Sequence, residues 1–435
     1  MAALNDLHEM SLRARNAFYD LSVSSSGQRN QAILALSGIL KEHRDVIFSA
    51  NRDDLAAAEK EGLPAPLLHR LKFQEEKLAQ VTAGLEALAA LPDPLGKTTY
   101  AEEITAGLNL YRVVCPIGVI GIIFESRPDA LIQISSLCIK SGNAVLMKGG
   151  REAFRTNQAL CACVRQALSS ATLSDDCAQL LETREDVASM LREDQLIDLI
   201  IPRGNNSFVR YIMENSRIPV LGHSDGVCHV YVDDPVDPDL AVRVALDSKV
   251  QNVSVCNAAE TLLIHRDIAP SILPVIASAL ENAGVEIRGD AETRQYISCL
   301  PAEDSDWSAE YLDYIISVHI VSSLSDAVSH INRYGSHHTD CILTSDASHA
   351  AEFMNRVDSA GVYWNASTRF ADGFVYGFGA EVGIATGKLH ARGPMGLEGL
   401  TTYKYKLIGS GQTLAEMKDG SHAYTHRPLS GSCPC

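Results

Sequence analysis

The chain has 435 residues, 46% of them hydrophobic and 21% charged, and 37 Lys+Arg against 54 Asp+Glu give a formal net charge of −17. These values describe a soluble globular protein with room for two or three domains, and the acidic balance argues against nucleic acid or an anionic membrane as partner. The longest apolar run, Val113 to Phe124, is too short to span a bilayer, and the first residues mix acids and bases without an apolar core, so neither a membrane span nor a secretory signal is expected.

In chain order, residues 3–92 read as almost wholly helical. Ile33, Leu36, Leu40 and Ile47 recur at helical spacing, Gly62-Leu63-Pro64 breaks one helix from the next, and Pro92-Asp93-Pro94 ends the block. From Leu108 the texture changes. Strands are expected at 108–115, 119–124, 144–147, 196–201, 229–232, 261–264, 315–320, 341–343 and 361–363, with helices at 129–140, 155–169, 206–214 and 325–333. Such alternation predicts an α/β protein with parallel sheets and crossover helices. From about Gly409 the chain is rich in Gly, Ser and His, the composition of a flexible tail.

Three expected strands run into glycine or proline together with a cation. One leads into Glu125-Ser126-Arg127-Pro128, one into Lys148-Gly149-Gly150-Arg151, and one into Pro202-Arg203-Gly204. Doubly wound folds bind ligands at the carboxyl ends of strands, where helix N-termini offer free N–H groups to phosphate. Any single cation of this set reads most simply as a solvated strand end. Three in equivalent places, in a chain this acidic, point to an anion, and Lys148 and Arg151 suit an adenosine 2′-phosphate. A GxGxxG fingerprint is absent: the string from Gly377 to Gly383 has one residue too many. His337-His338 beside Thr339-Asp340 reads as structural or polar, because adjacent residues on a strand or helix face different ways. No metal site is expected, and eleven cysteines without framework spacing read as reduced thiols in a cytoplasmic setting.

Among those cysteines, Cys256 stands apart. It lies in a small polar loop with Asn252, Ser254 and Asn257, between a segment with helical spacing (Val242, Ala245, Leu246, Lys249) and the strand-like run TLLIH. A thiol at such a junction can attack a carbonyl carbon and form a thioester. Locally, an inert thiol is the simpler reading, since free cysteine is usually buried and no Lys, Arg or His lies within five residues of Cys256.

Longer strings decide between these readings. PIGVIGIIFESRPDALIQISSLCIKSGNAVLMKGG, IPRGNN, VLGHSDGVCHVYVD, QNVSVCNAAETLL, INRYGSHHTDCI and VYWNASTRFADGFVYGFGAEVGIATGKLHARGPMGLEGLTTYKY follow one another in order. Over residues 5–408 the chain resembles the γ-glutamyl phosphate reductases (glutamate-5-semialdehyde dehydrogenases), a divergent branch of the aldehyde dehydrogenase superfamily. The resemblance implies a cofactor domain with a five-stranded Rossmann-like core (1–103 and 118–228), an α/β catalytic domain (229–390), and a β-flap for dimerisation (104–117 and 396–408), with 409–435 left as the tail. It implies NADPH-dependent reduction of γ-glutamyl phosphate to glutamate 5-semialdehyde in proline biosynthesis, through a thioester on Cys256.

By the same resemblance Lys148 holds the cofactor, Arg203 and Gly204 face its pyrophosphate or nicotinamide cleft, and Glu310 holds the nicotinamide ribose. Arg151, where NAD-preferring relatives often carry Glu, supports NADP(H). Two departures from the wider superfamily matter. Val220-Leu221-Gly222-His223 stands where hydrolytic members begin with a general-base Glu, and Glu125-Ser126 stands where they have Trp-Asn. Ser126 and the Cys256 backbone N–H are therefore the candidate oxyanion donors. Glu125, Arg127, Asn365, Arg369 and Asp372 are candidates for the substrate's charged ends, by motif position and charge. The expected partners are the small-molecule substrate, a second copy of the chain, and an upstream glutamate kinase in transient contact. A hydrolytic aldehyde dehydrogenase and a non-catalytic scaffold are the rival readings; the missing Glu counts against the first and the intact Cys256, Lys148 and Glu310 against the second.

Overall fold

The computed structural model describes residues 2–125, 127–181, 185–204, 206–222, 225–378, 381–418 and 421–435. The chain divides into two compact units: Met1–Gly204 with Tyr211–Leu221 and Gly396–Cys435, and Asn205–Arg210 with Gly222–Met395.

The first unit opens with helices Ala2–Val23, Ser26–Glu42, Arg44–Lys60, Ala65–Leu71 and Glu75–Ala90. Ser25 and Gln28 form a reciprocal capping box at the second of these, and Gly62 supplies the left-handed turn (φ 78°) after the third. Ile33, Leu36, Leu40 and Ile47 are at most 1% exposed, as their spacing predicts. Lys140, itself buried, donates from Nζ to the carbonyls of Ala89 (3.0 Å) and Leu91 (2.8 Å), satisfying the end of Glu75–Ala90.

These helices accompany a parallel sheet of β3 (Val119–Phe124), β4 (Ala144–Lys148), β5 (Ala178–Leu180) and β6 (Leu199–Arg203), in the order β5-β4-β3-β6. β3 is buried along its whole length, the property of a central parallel strand. Among the described residues the core has four strands, against the expected five. A single parallel bridge, Ile200 to Val220, stands where a fifth would add. Pro219 has no N–H to donate, and the pairing consists of Ile200 N–H to Pro219 O (2.9 Å) and Leu221 N–H to Ile200 O (2.9 Å).

The flap is antiparallel, ordered β16-β2-β1-β17, from β1 (Thr98–Thr105), β2 (Leu108–Pro116), β16 (Thr401–Ile408) and β17 (Arg427–Pro428). The segment after Gly409, expected to be a flexible tail, is instead held along the flap. Glu102 and Glu103 pair with Pro428 and Arg427, Thr425 N–H donates to Ile104 O (2.9 Å), and Leu429 N–H donates to Ala101 O (3.0 Å). Its composition lacks apolar periodicity, but what holds it is the backbone of an open strand edge and the Arg427–Glu103 ion pair (2.7 Å).

The second unit is built on a seven-stranded parallel sheet ordered β10-β9-β11-β8-β7-β12-β13. Its strands are β7 (Cys228–Val232), β8 (Ala259–His265), β9 (Glu286–Gly289), β10 (Leu300–Pro301), β11 (Ile315–Val321), β12 (Thr339–Leu343) and β13 (Gly361–Trp364); β14 (Gly383–Ala385) and β15 (Gly393–Met395) form a separate ribbon. Alternation sorts its core into two faces. Val230, Val232, Leu262 and Ile264 pack with helices Pro238–Val250 and Ala269–Asn282, while Tyr231 and Leu263 pack with Leu324–Tyr334 and Ala347–Arg356. Among the described residues no helix is long and apolar enough to cross a membrane.

Candidate active site

The helix Pro238–Val250 and β8 bracket residues 251–258, which places Cys256 at a helix-to-strand junction. Two clamps fix the loop. At its base Lys249 and Glu260, both fully buried, pair at 2.6 Å, and Glu260 also accepts from the Leu312 N–H (3.3 Å). Burial pushes the Glu260 carboxyl up to about 7 and draws the Lys249 ammonium down, while their mutual attraction opposes both shifts. At its tip Thr368 Oγ1 donates to Asn257 O (2.7 Å) and Asn257 Nδ2 donates to Ala371 O (3.0 Å).

Cys256 is partly exposed, whereas Cys161, Cys177 and Cys341 are buried with thiols pushed up to about 12 by desolvation. The sheet order brings it neighbours that are remote in sequence. Cys256, Gly226 and His338 lie in the segments leading into β8, β7 and β12, three adjacent strands, so the thiol sits at the amino edge of this sheet. His338 Nε2 is 3.2 Å from Cys256 Sγ, and Cys228 Sγ donates to Cys256 O (3.3 Å). A Cβ on Gly226 would lie 2.3 Å from the Cys256 carbonyl oxygen and 2.5 Å from its Cα, both backbone atoms that cannot rotate away. Gly226→Ala is therefore expected to lose about 1–3 kcal/mol of stability and most of the turnover, read by denaturant unfolding and a rate assay. A wild-type rate in that variant would mean that the loop tolerates displacement.

Glu310 shares this turn. It accepts from the Gly226 backbone N–H and from Asn206 Nδ2, and burial raises its carboxyl. Arg369 donates from Nε to Gln251 Oε1 (2.9 Å); burial lowers its guanidinium, with the charges of Cys256 and Asp372 opposing. Asp372 Oδ1 accepts from Phe374 N–H (2.8 Å) and Val375 N–H (3.1 Å) and closes a turn. Asn365, expected at the substrate, has φ 57° and an amide engaged at both ends by the Thr344 backbone, donating to its carbonyl (2.9 Å) and accepting from its N–H (3.0 Å). It secures a turn.

The remaining candidates belong to the first unit, at the carboxyl edge of its parallel sheet. Lys148 pairs in register with Ile123, and Arg203 with Phe124, so the two cations flank the end of β3. Strand order reverses beside β3, the switch point at which such sheets take nucleotides. Lys148 is 8% exposed and donates from Nζ to Gly149 O (2.7 Å). A Cβ on Gly149 would lie 2.2 Å from Asn157 Nδ2, so that side chain would have to shift to admit one. Cationic strand ends beside bare backbone fit a nucleotide's phosphates. Arg151 opens the following short helix and pairs with Glu61 at 3.1 Å, both exposed. Arg127 lies near Asp129 (3.6 Å), and Glu125 and Gly204 are exposed. Ser126 lies outside the described residues. His338, read from sequence as structural or polar, is brought beside Cys256 by the adjacency of β12, β7 and β8.

Parallel sheets, a thiol loop and a cationic switch point are the architecture of an oxidoreductase that works through a cysteine. The chain belongs to the aldehyde dehydrogenase family, which it matches over residues 2–295. It is 51% identical over 428 residues to the protein named gamma-glutamyl phosphate reductase from Acetivibrio thermocellus, covering 98% of this chain and 99% of that one. To the protein of the same name from Pelotomaculum thermopropionicum it is 53% identical over 424 residues, 98% of each. The crystal structure of gamma-glutamyl phosphate reductase from Thermotoga maritima superposes with a TM-score of 0.92 at 38% identity, covering 94% of this chain and 99% of that one.

Proposed function

We propose that the chain reduces γ-glutamyl phosphate to glutamate 5-semialdehyde with NADPH, releasing phosphate, in proline biosynthesis. The observation that carries this reading is Cys256: a partly exposed thiol in a loop clamped at base and tip. Near-full-length similarity to proteins bearing the reductase name supports the substrate.

The Cys256 sulfur attacks the acyl carbon; the C–O bond to phosphate breaks, and its electron pair leaves with the phosphate. The Ser126 hydroxyl and the Cys256 backbone N–H hold the oxyanion. When bound, NADPH supplies one hydride to the thioester carbon. The C–S bond then breaks, its pair returning to sulfur, and the semialdehyde departs. Lys148 holds the cofactor, Arg203 and Gly204 face its pyrophosphate or nicotinamide cleft, Arg151 meets its 2′-phosphate, and Glu310 the nicotinamide ribose. Arg369 and Arg127 meet the substrate's anionic groups, Glu125 and Asp372 its ammonium. Val220, in place of a general base, activates no water against the thioester, so in the reverse direction phosphate is its acceptor.

The protein works in the cytoplasm as a homodimer and meets its kinase transiently. Support for the dimer lies in β16, an edge strand with Tyr403, Tyr405 and Leu407 more than half exposed.

The test runs the reaction backwards. From glutamate 5-semialdehyde, NADPH formation is expected to require phosphate, or arsenate in its place, and to be faster with NADP+ than with NAD+. Brisk turnover to glutamate in phosphate-free buffer would replace this reading with the hydrolytic one.

A further inference from the structure

A thiol with no cation within five residues in sequence needs a source of activation from the fold. We propose that His338 is that source: it takes the Cys256 proton and holds the sulfur as a thiolate–imidazolium pair, a catalytic role that rests on the acyl-transfer reading above.

The geometry is specific. His338 Nε2 lies 3.2 Å from Cys256 Sγ, while Nδ1 lies 3.0 Å from Thr339 Oγ1. A neutral ring that donates from Nδ1–H to the threonine oxygen presents the Nε2 lone pair to the thiol. After transfer both nitrogens carry protons, and each still has an acceptor, the threonine oxygen or the thiolate. The ring is 1% exposed, so water screens little on its side, while the thiol stays partly open to solvent.

The backbone is arranged to hold the ring there. His337, the residue before it, has φ 60°, a left-handed conformation that side chains seldom adopt. That turn is locked by its surroundings: Ala360 N–H donates to His337 O (2.9 Å), Gly361 N–H to His338 O (2.9 Å), and Val227 N–H to Ser336 Oγ (2.8 Å). Strain maintained by its neighbours is a mark of positioned groups.

Other ionisable groups of the second unit surround the pair. Arg369, from the short helix Thr368–Phe370, interacts favourably with a Cys256 thiolate. The Cys228 thiol, from β7, is raised well above its ordinary value by burial and stays neutral. Asp340, from β12, is engaged by the His229 ring (2.9 Å) and by Ser359. Glu260, from β8, is paired with Lys249.

The step balances without a further reagent. The S–H proton moves to Nε2, and the sulfur pair forms the S–C bond as phosphate leaves with the C–O pair. After hydride delivery the C–S pair returns to sulfur, which regains the imidazolium as counter-ion. The same pairing that makes sulfur a nucleophile makes it a good leaving group in the final collapse.

The test uses the whole protein without substrate or cofactor, so failure of the reductase reading would leave its outcome unchanged. Iodoacetamide alkylation of Cys256 is followed against pH by peptide-resolved mass spectrometry. In the wild type the midpoint is expected below the ordinary thiol value of about 8.5, and at pH 6.5 His338→Asn is expected to react at least about tenfold more slowly. Coincident profiles, or a wild-type midpoint at the ordinary value, would overturn the proposal. A second measurement needs no histidine variant. The thiolate absorbance near 240 nm of wild type minus Cys256→Ser is expected to persist below pH 7, and its absence there overturns the proposal equally.

Discussion

Cys256→Ser is expected to lower reductase turnover by at least about a thousandfold while NADPH binding is retained. A serine hydroxyl ionises far less readily than a thiol, and an alkoxide is a much poorer leaving group than a thiolate, so both acyl transfer and the final collapse suffer. The substitution removes only the sulfur: the loop is fixed by Lys249–Glu260 and by Thr368 on Asn257, neither of which uses the Cys256 side chain. NADPH consumption and nucleotide affinity, measured on one preparation, separate the chemistry from folding. Residual turnover within tenfold of wild type would remove Cys256 from the mechanism.

Glu260→Ala is expected to destabilise the protein by about 3–5 kcal/mol, because it strands a buried ammonium. Lys249 and Glu260 are both fully buried and meet at 2.6 Å, and Glu260 also receives the Leu312 N–H. Burial already draws Lys249 toward neutrality. Without its carboxylate it must shed its proton or draw in water, and the loop base opens in either case. Glu260→Gln keeps an acceptor for Leu312 and is expected to lose less. Replacing both partners by apolar residues of like volume is expected to lose less than Glu260→Ala alone. Equilibrium urea unfolding of the three variants gives the ordering, and a loss under about 1 kcal/mol in Glu260→Ala would mean that the pair is not what holds the loop.

Much of the framework was legible because the inner strands are nearly continuous apolar runs. Val119–Phe124 was expected at those bounds, and the strand expected at 261–264 lies within Ala259–His265. Strands such as Thr98–Thr105, with Glu102 and Glu103 inside, carry no such run and escape a pattern search. The α/β class and the cations at strand ends were readable one strand at a time. The site itself was less so. His338 is 82 positions from Cys256, and its place depends on the order β8-β7-β12, which no local pattern encodes. Asn365 was singled out by motif position, and its left-handed backbone and the amide bonds to Thr344 appear only in three dimensions.

The two borders of the flap sheet differ in kind. Along β1 the outer N–H and C=O groups near residues 101–104 are taken up by the chain's own last residues, whereas β16 ends the sheet on the other side. A ribbon with both borders open is a template on which copies can stack without limit, in the manner of a filament. Here one border ends on the two-residue β17 and the other on the eight-residue β16, so the long free edge lies on one side only.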